Sequence, residues 1–335
     1  MVLSVIAAFE SNAPRIGVYH TMQMKFVGRI RLGLPRSLRC WAPDGSGMGT
    51  MLVPPRKKSQ KVDYTGVLTR FLSNTYSPQE AADNGDGIKT LAEMRAQALS
   101  ATEPTDANID CSIRYWAQLC LLDKRVDFNQ VGLNFTWMDA FKGPTSFAPG
   151  QGKVTCSSLH LEMAAVLFNA ACLVMAHGST AHNDGNGGAE GLKTASHSFK
   201  KAAGMFAAAK SHAAKVDREV TVDLSQECLS LLETLCLAHA QRCFYEKARG
   251  DNMKDGILAK LAAATWTFYS QASAGLASAN LAKHFKGSSW MADVAAEEAV
   301  FRAAAHAHAA KDLEENKKGM EKGVELGHYK VVPRL

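Results

Sequence analysis

The sequence contains eight cysteines but no CxxC pair. Most of them lie in apolar stretches with helical spacing, where a thiol packs as a small hydrophobic group. This absence predicts a protein of a reducing compartment that folds without a disulfide framework. With 335 residues and 47% hydrophobic content, the chain can build one large helical domain or two ordinary ones.

Proline is absent from Gln151 to Val332, and this stretch is rich in alanine, leucine, lysine and glutamate. Proline removes a backbone donor and interrupts helices, whereas the other four residues favour them. The pattern therefore predicts packed helices, in antiparallel hairpins that resemble an α-solenoid. We find no apolar run that approaches the roughly 20 residues of a membrane span, and predict none.

The net positive charge is small outside the first 50 residues. These hold six Lys or Arg against Glu10 and Asp44, a net of +4, which leaves +2 of the total +6 for the other 285 residues. The near-neutral body is not typical of a nucleic-acid-binding protein. No basic residue precedes the short apolar start from Val2 to Phe9, so a signal peptide is not predicted.

We interpret residues 1–50 as a basic N-terminal extension outside the folded domain, and expect it to be disordered. Two explanations stay open, an organellar transit peptide or untranslated sequence read from an upstream start. Met51 would be a natural alternative start. Between Leu52 and Asp63 the prolines favour an extended chain, so the ordered part is expected to begin here.

Local signals predict the main elements. Ser77-Pro78-Gln79-Glu80 combines an N-cap, a proline at the first helical position and a capping-box glutamate. Alternation from Val131 to Phe141 predicts a short strand, followed by a loop from Gly143 to Gly152. The stretch from Leu159 to Met175 is apolar on nearly all sides, which predicts a buried central helix. A flexible surface loop is expected from His177 to Gly188.

Residues that could carry enzyme chemistry do not form a recognisable combination. The glycine-rich stretch 185–191 misses the GxGxxG pattern at Glu190. His306 and His308 are two apart on a helix and point in different directions, so they do not form a metal pair. Glu162 requires a buried partner but has no second carboxylate for acid–base work, so we interpret it as structural. We predict that His239 is a core histidine and that the chain has no catalytic residue, metal or cofactor.

Two helical segments between Ser225 and Tyr269 carry more apolar surface than one packing face requires. On the first, Phe244 lies opposite the core stripe, among polar residues. The second is predicted to start after Asp251 as N-cap, and Ile257 and Leu261 widen its apolar arc to roughly 200°, where one face needs about 100°. These three side chains are candidates for a second apolar surface. The alternative is that another helix of the chain covers them.

Six groups of residues follow one another in a recognisable order. They are Lys57-Lys58-Ser59 with Val62-Asp63, Ile113 to Trp116, Phe135 to Phe141, Leu161-Glu162 with Val166 to Asn169, Glu190 to Lys193, and Ala238 to Leu261. Their order and spacing resemble the Bro-one domain of endosomal ESCRT-accessory proteins. The resemblance covers about residues 52–326.

The resemblance implies an all-α fold over residues 51–326, followed by a short C-terminal tail, 327–335. In that family the fold is a curved, banana-shaped helical solenoid with a tetratricopeptide-like core and a small sheet near the start. The domain is a non-enzymatic adaptor. It binds the C-terminal amphipathic helix of an ESCRT-III subunit of the charged multivesicular body protein (Snf-seven) type.

The positions that match the family's binding motif are Phe244, Ile257 and Leu261, with Lys193 and Lys247 as polar contacts. The resemblance implies a cytoplasmic protein that is recruited to endosomes, reaches the membrane through its partner and does not bind nucleic acid. Organellar import directed by residues 1–50 is an alternative location. An alternative function is a signalling scaffold, in pH-sensing or Rho-linked pathways, that uses the same domain.

Overall fold

The computed structural model describes residues 51–142, 152–183 and 188–315, and most of them are helical. The helices of the first part are α1 (Tyr64–Thr75), α2 (Pro78–Asp83), α3 (Gly85–Ser100), α4 (Asp106–Leu122) and α5 (Phe128–Val131). Those of the second part are α6 (Leu159–Asn183), α7 (Gly188–Ala213), α8 (Gln226–Gly250), α9 (Asp255–Leu276), α10 (Ala279–His284) and α11 (Trp290–Glu315). The all-α prediction is confirmed, whereas the predictions for residues 1–50 and 327–335 lie outside the described residues.

Side-chain caps begin several of these helices. Ser77 Oγ accepts a hydrogen bond from the backbone N–H of Glu80 at 3.1 Å, and Pro78 occupies the first position of α2, as predicted. Ser225 caps α8 in the same way, accepting from the N–H of Cys228 at 3.1 Å. Such caps satisfy N–H groups that have no partner inside the helix.

A small antiparallel sheet packs against α6. Its strands are β1 (Phe135–Met138) and β2 (Lys153–Cys156), and an isolated bridge joins Ser59 to Trp137 of β1. The strand predicted from Val131 to Phe141 is confirmed in its centre but is shorter, because Val131 ends α5. Strand β2 is not predicted from the sequence, since only two of its four side chains are buried and so short an alternation is a weak signal.

The longer helices of the second part form a series in which each packs on the one before it and the one after it. Successive helices are antiparallel. His160 at the start of α6 lies beside His212 near the end of α7, with their Nδ1 atoms 3.4 Å apart. Lys210, also near the end of α7, binds Glu233 near the start of α8 at 2.7 Å. Stacked antiparallel helices are the building principle of an α-solenoid, as predicted.

The central helix α6 is longer than predicted. Nearly every residue from Leu159 to Met175 is buried, as expected. The loop predicted over 177–188 is wrong in its first part, because α6 continues to Asn183. A Cβ added to Gly178 would lie 3.0 Å from the Cβ of Ser198, so this glycine allows α6 and α7 to pack closely and does not mark a turn.

α6 is an exception to the prediction that no apolar run approaches the length of a membrane span. Within the three described ranges, it is the one helix long and apolar enough to cross a bilayer. Its most apolar window has a mean hydropathy of 1.8 and is 89% buried inside the fold. Such burial is typical of the core helix of a folded domain, so these properties are weak evidence for a membrane span.

Glu162 in the first turn of α6 is fully buried and has the partners that burial requires. Its Oε1 accepts from Arg95 Nε and from Tyr115 OH, both at 2.8 Å. Its Oε2 accepts from Trp137 Nε1 at 2.7 Å and from Arg95 Nη2 at 3.4 Å. The carboxylate therefore joins α3, α4, β1 and α6, which supports its interpretation as a structural residue.

The extended segment before α1 is held against α6 by polar contacts. The backbone N–H of Lys57 donates to Asn169 Oδ1 at 2.7 Å, and Asn169 Nδ2 donates back to the Lys57 carbonyl at 3.0 Å. The Lys57 ammonium is fully buried and binds Thr221 Oγ1 at 3.0 Å and the carboxylate of Asp223. Asp223 belongs to a short 3-10 helix, Val222–Leu224, that precedes α8.

Candidate functional site

The connection between α8 and α9 differs from the prediction. Asp251 is the C-cap of α8, and the N-cap of α9 is Lys254, which makes no side-chain capping bond. Asn252 adopts a positive φ of 51°, a conformation that asparagine tolerates better than most residues. The prediction of Asp251 as N-cap is therefore wrong, because an aspartate between two helices fits either role in sequence.

α8 and α9 form an antiparallel hairpin, since Gly275 near the end of α9 lies beside Leu231 near the start of α8. Phe244 in the last two turns of α8 therefore lies at the same end of the hairpin as Ile257 and Leu261 in the first two turns of α9. This arrangement brings the three predicted apolar residues to one region of the surface.

Phe244 and Ile257 remain exposed, with 41% and 43% of their surface accessible. Leu261 is half-buried and packs against the core. Within the described ranges, then, no other helix covers the first two, contrary to the alternative considered from sequence. Half-buried apolar residues continue this surface along both helices. We define the α8–α9 strip as Leu237, Phe244, Ile257, Leu261, Ala264 and Phe268.

The two predicted lysines lie near this end of the hairpin, and each is paired with an acidic neighbour. Lys247 on α8 is half-buried and binds Asp251 one turn later. It lines a cleft of about 380 Å³ between α8, the end of α6 and the start of α7. Lys193 on α7 is exposed and binds Glu190 at 2.9 Å, an interaction that raises the pKa of the lysine. Lys193 also lines a second cleft, which faces α4 and α6, so it is a neighbour of the strip and not one of its six residues.

Lys200, which is not among the site residues predicted from the sequence, contacts the strip from α7. Its ammonium lies 4.3 Å from the centroid of the Phe244 ring, well within the range of a cation–π interaction. Met253, in the turn between α8 and α9, is a further exposed apolar residue at this end of the hairpin. Neither the Lys200 contact nor the exposure of Met253 can be predicted from a local sequence pattern. The lysine contact joins residues on different helices, and the methionine lies in the turn after α8.

A buried ionic network fixes the end of α8 beneath this surface. Arg242 binds Glu246 at 2.7 Å and Glu297 of α11 at 2.9 Å, and His182 of α6 binds Glu246 at 2.7 Å. Burial alone would raise the pKa of Glu246, but the hydrogen bond from His182 and the charge of Arg242 lower it to about 2. The network therefore connects α6, α8 and α11, and gives the strip a rigid support.

A second set of contacts fixes the start of α9. Tyr245 follows Phe244 on α8, and its buried hydroxyl lies 3.0 Å from Nε2 of His308. The other ring nitrogen of His308 contacts the carboxylate of Asp255, the first residue of α9. The two helices that form the strip are thus both tied to α11.

Nothing in this region resembles a catalytic centre. Among residues 51–142, 152–183 and 188–315, no group of three or more His, Cys, Asp or Glu side chains could hold a metal ion. The seven cysteines of these ranges are free, and burial raises the pKa of several of their thiols. What the surface offers is apolar area with basic residues beside it, an arrangement suited to binding an amphipathic helix.

The family model described as "BRO1-like domain" matches residues 51–332 of the sequence. The chain belongs to this family. The resemblance inferred from the motifs is thereby confirmed, and the BRO1-like match starts at Met51. The match covers well over half of the chain, and every helix described above lies within it.

Two curated relatives illustrate the similarity of this BRO1-like domain. It is 33% identical over 279 residues to the vacuolar-sorting protein BRO1 of Arabidopsis thaliana, covering 79% of this chain and 31% of that protein. It is 36% identical over 214 residues to the programmed cell death 6-interacting protein of Mus musculus, covering 62% of this chain and 24% of that protein. The chain thus spans about a quarter to a third of the length of these relatives.

A solved structure, that of the ALIX BRO1 domain in a complex with CHMP4C, matches with a TM-score of 0.72 and 29% identity. The match covers 84% of this chain and 78% of that one. It confirms the predicted fold class, a helical solenoid with a small sheet. A second match, described as the structural basis for endosomal targeting by the Bro1 domain, has 20% identity and a TM-score of 0.67, and supports the fold alone.

Proposed function

We propose that this BRO1-like domain is a non-enzymatic adaptor that binds the C-terminal amphipathic helix of an ESCRT-III subunit through the α8–α9 strip. The observation that carries the proposal is the exposure of Phe244 and Ile257 beside half-buried Leu261. A folded domain rarely leaves large neighbouring apolar side chains accessible unless they bind something. That the similar ALIX domain forms a complex with CHMP4C, an ESCRT-III subunit, supports this choice of partner.

The geometry of the strip fits a helical ligand. On α9 the apolar residues recur at Ile257, Leu261, Ala264 and Phe268, so they form a continuous stripe along one side of the helix. A partner helix with apolar residues at every third or fourth position can lie along such a stripe. Burying three large side chains contributes roughly 5 kcal/mol or more before the costs of association, so the expected affinity is about micromolar.

The predicted lysines complete the site in this proposal. Lys193 and Lys247 are both bound to acidic neighbours on their own helices. A partner carboxylate can share or replace these exposed and half-buried ion pairs at little cost, because such pairs are weak in water. They are therefore assigned as polar contacts around the apolar centre.

The same proposal sets the cellular role. The name of the Arabidopsis thaliana relative refers to vacuolar sorting, and the similar ALIX domain forms a complex with CHMP4C. We infer a cytoplasmic protein that is recruited to endosomes by its ESCRT-III partner and acts in multivesicular body sorting. The endosomal membrane is reached indirectly, through that partner.

The test is a titration of the full chain with a fluorescent peptide of the CHMP4C C-terminal helix, read by fluorescence anisotropy. Wild type is expected to bind with a Kd of about micromolar. Phe244→Asp places a charge in the centre of the strip and should weaken binding more than tenfold. Tyr76→Asp is the matched control, because Tyr76 is 64% exposed at the end of α1 and lies outside the strip.

Circular dichroism and thermal melting establish whether each variant is folded. A folded Phe244→Asp variant that binds as well as wild type would contradict the assignment of the strip. If folded wild type does not bind the peptide at all, the adaptor proposal fails and the signalling-scaffold alternative becomes the better explanation.

A further inference from the structure

Lys200 on α7 covers part of the aromatic ring at the centre of the α8–α9 strip. Its ammonium lies 4.3 Å from the ring centroid of Phe244, and both side chains are exposed. The cation is attracted to the negative face of the ring, which restricts the orientation of the phenyl group. A ligand that packs on Phe244 must therefore also accommodate the charge of Lys200.

Three acidic residues on the helices that form or border the strip are already engaged by other lysines. Glu190 binds Lys193, Asp251 binds Lys247, and Glu233 binds Lys210. Within the described ranges, Lys200 makes no ion pair with any carboxylate. The partner of the Lys200 ammonium is thus the face of the Phe244 ring, and its charge is free to pair with a carboxylate of a ligand.

A second basic residue borders the strip on its other side. Lys260 is exposed on α9, three residues after Ile257 and four before Ala264, so it lies beside the apolar stripe. It too makes no ion pair among the described residues. Positive charge therefore borders the apolar centre both from α7 and from α9, and a ligand complementary to this pattern carries acidic residues beside its apolar face.

We propose that Lys200 is a specificity-determining contact of the strip, which orients Phe244 and selects partner helices that carry a carboxylate facing α7. The inference rests on the proposed function and extends it, because it states which chemistry of the partner is recognised. In the complex the ammonium keeps its contact with the ring and gains an ion pair from the ligand. Partial exclusion of water by the docked helix strengthens both interactions.

The experiment compares two adjacent lysines. Lys200→Met keeps a long flexible stem on the ring but removes the charge. Lys201→Met is the matched control, because Lys201 is likewise exposed but is turned by about 100° around α7, away from the Phe244 ring that Lys200 contacts. Titration with the fluorescent CHMP4C helix at low salt should show about 3- to 10-fold weaker binding for Lys200→Met. Binding by Lys201→Met should stay within about 1.5-fold of wild type, and Lys200→Arg should retain affinity since it keeps a cation over the ring.

If Lys200 only held Phe244 in place, replacing it would not change which acidic residues of the peptide contribute to binding. The decisive measurement is therefore the coupling between Lys200 and each acidic residue of the peptide. Each acidic residue of the peptide is replaced in turn by its amide. One of these replacements should weaken binding to wild type about 3- to 10-fold and leave binding to Lys200→Met unchanged. Raising the salt concentration should weaken binding to wild type more than binding to Lys200→Met.

The outcomes separate this inference from the function on which it rests. If Phe244→Asp abolishes binding but Lys200→Met binds like wild type, with no coupling to any peptide carboxylate, the role of Lys200 is overturned and the strip stands. If wild type does not bind the peptide, both proposals are overturned. Equal losses for Lys200→Met and Lys201→Met would also contradict the inference, because they would reflect net charge and not position.

Discussion

At the scale of single residues, His239 shows how a titratable group can be built into the core. It is buried in α8, with Nδ1 3.0 Å from the Tyr269 hydroxyl and Nε2 3.2 Å from the Leu52 carbonyl. A carbonyl can only accept, so Nε2–H donates to Leu52 and Nδ1 accepts from Tyr269. His239 is thus the core histidine that was predicted, and both of its ring nitrogens have a hydrogen-bond partner.

Burial, followed by the charge of Arg242, lowers the pKa of His239 to about 3. In the unfolded chain the value is about 6.5, so between these limits only the unfolded state binds the proton, and stability falls as the pH falls. His239→Gln keeps a donor for Leu52 but does not titrate. Between pH 7 and pH 4.5 we expect wild type to lose about 2–3 kcal/mol more than the variant, in urea unfolding curves. Parallel losses would contradict a neutral His239.

The site residues differ in how far sequence could predict them. Helical periodicity is enough to predict Phe244, Ile257 and Leu261, because the position of a residue relative to the core stripe can be read from the sequence of one helix. Lys200 is not, because its contact with Phe244 joins α7 and α8 across 44 positions. Periodicity describes one element at a time, so contacts between elements require the fold.

At the scale of elements, tertiary packing decides where local composition is ambiguous. The residues after His177 include Gly178, Ser179 and Thr180, a composition typical of loops. They are helical because the glycine faces α7 at close range. The same limitation explains Asp251, whose local sequence suits the end of one helix as well as the start of the next.

Two glycines of α7 test how close this packing is. A Cβ on Gly191 would lie 2.8 Å from the carbonyl oxygen of Ala181, a backbone atom of α6, whereas a Cβ on Gly204 meets nothing within 4 Å. Gly191→Ala is expected to destabilise the domain by about 1–2 kcal/mol, because the α6–α7 interface must shift. Gly204→Ala should be neutral or stabilise it by up to about 1 kcal/mol, since alanine is the better helix former.

Chemical denaturation of both variants gives the comparison directly, because each adds one methyl group to the same helix. Equal changes in the free energy of unfolding would show that the close approach of α6 and α7 at Gly191 does not limit packing. Peptide affinity provides a second check. Neither glycine belongs to the strip, so the Kd of a folded variant should stay near the wild-type value.

At the scale of the whole molecule, the order of helices could be predicted but the contacts that close the fold could not. Absence of proline and helical periodicity are local signals, and they predicted the helical series. The Lys57–Asp223 ion pair joins residues 166 positions apart and is fully buried. It fixes the extended N-terminal segment to the 3-10 helix before α8, and no local pattern identifies such a pair.

The contributions of Lys57 and Asp223 to stability should be strongly coupled. Lys57→Met leaves the Asp223 carboxylate buried without its cation, and we expect a loss of about 3–5 kcal/mol in the free energy of unfolding. Asp223→Asn leaves the ammonium unpaired and should cost a similar amount. The double variant has no buried charge to compensate, so its loss should be well below the sum of the single losses. Additive losses in urea denaturation would mean that the two charges act independently.

The exposed pair Glu190–Lys193 is the matched comparison, and its removal should change stability by less than about 0.5 kcal/mol.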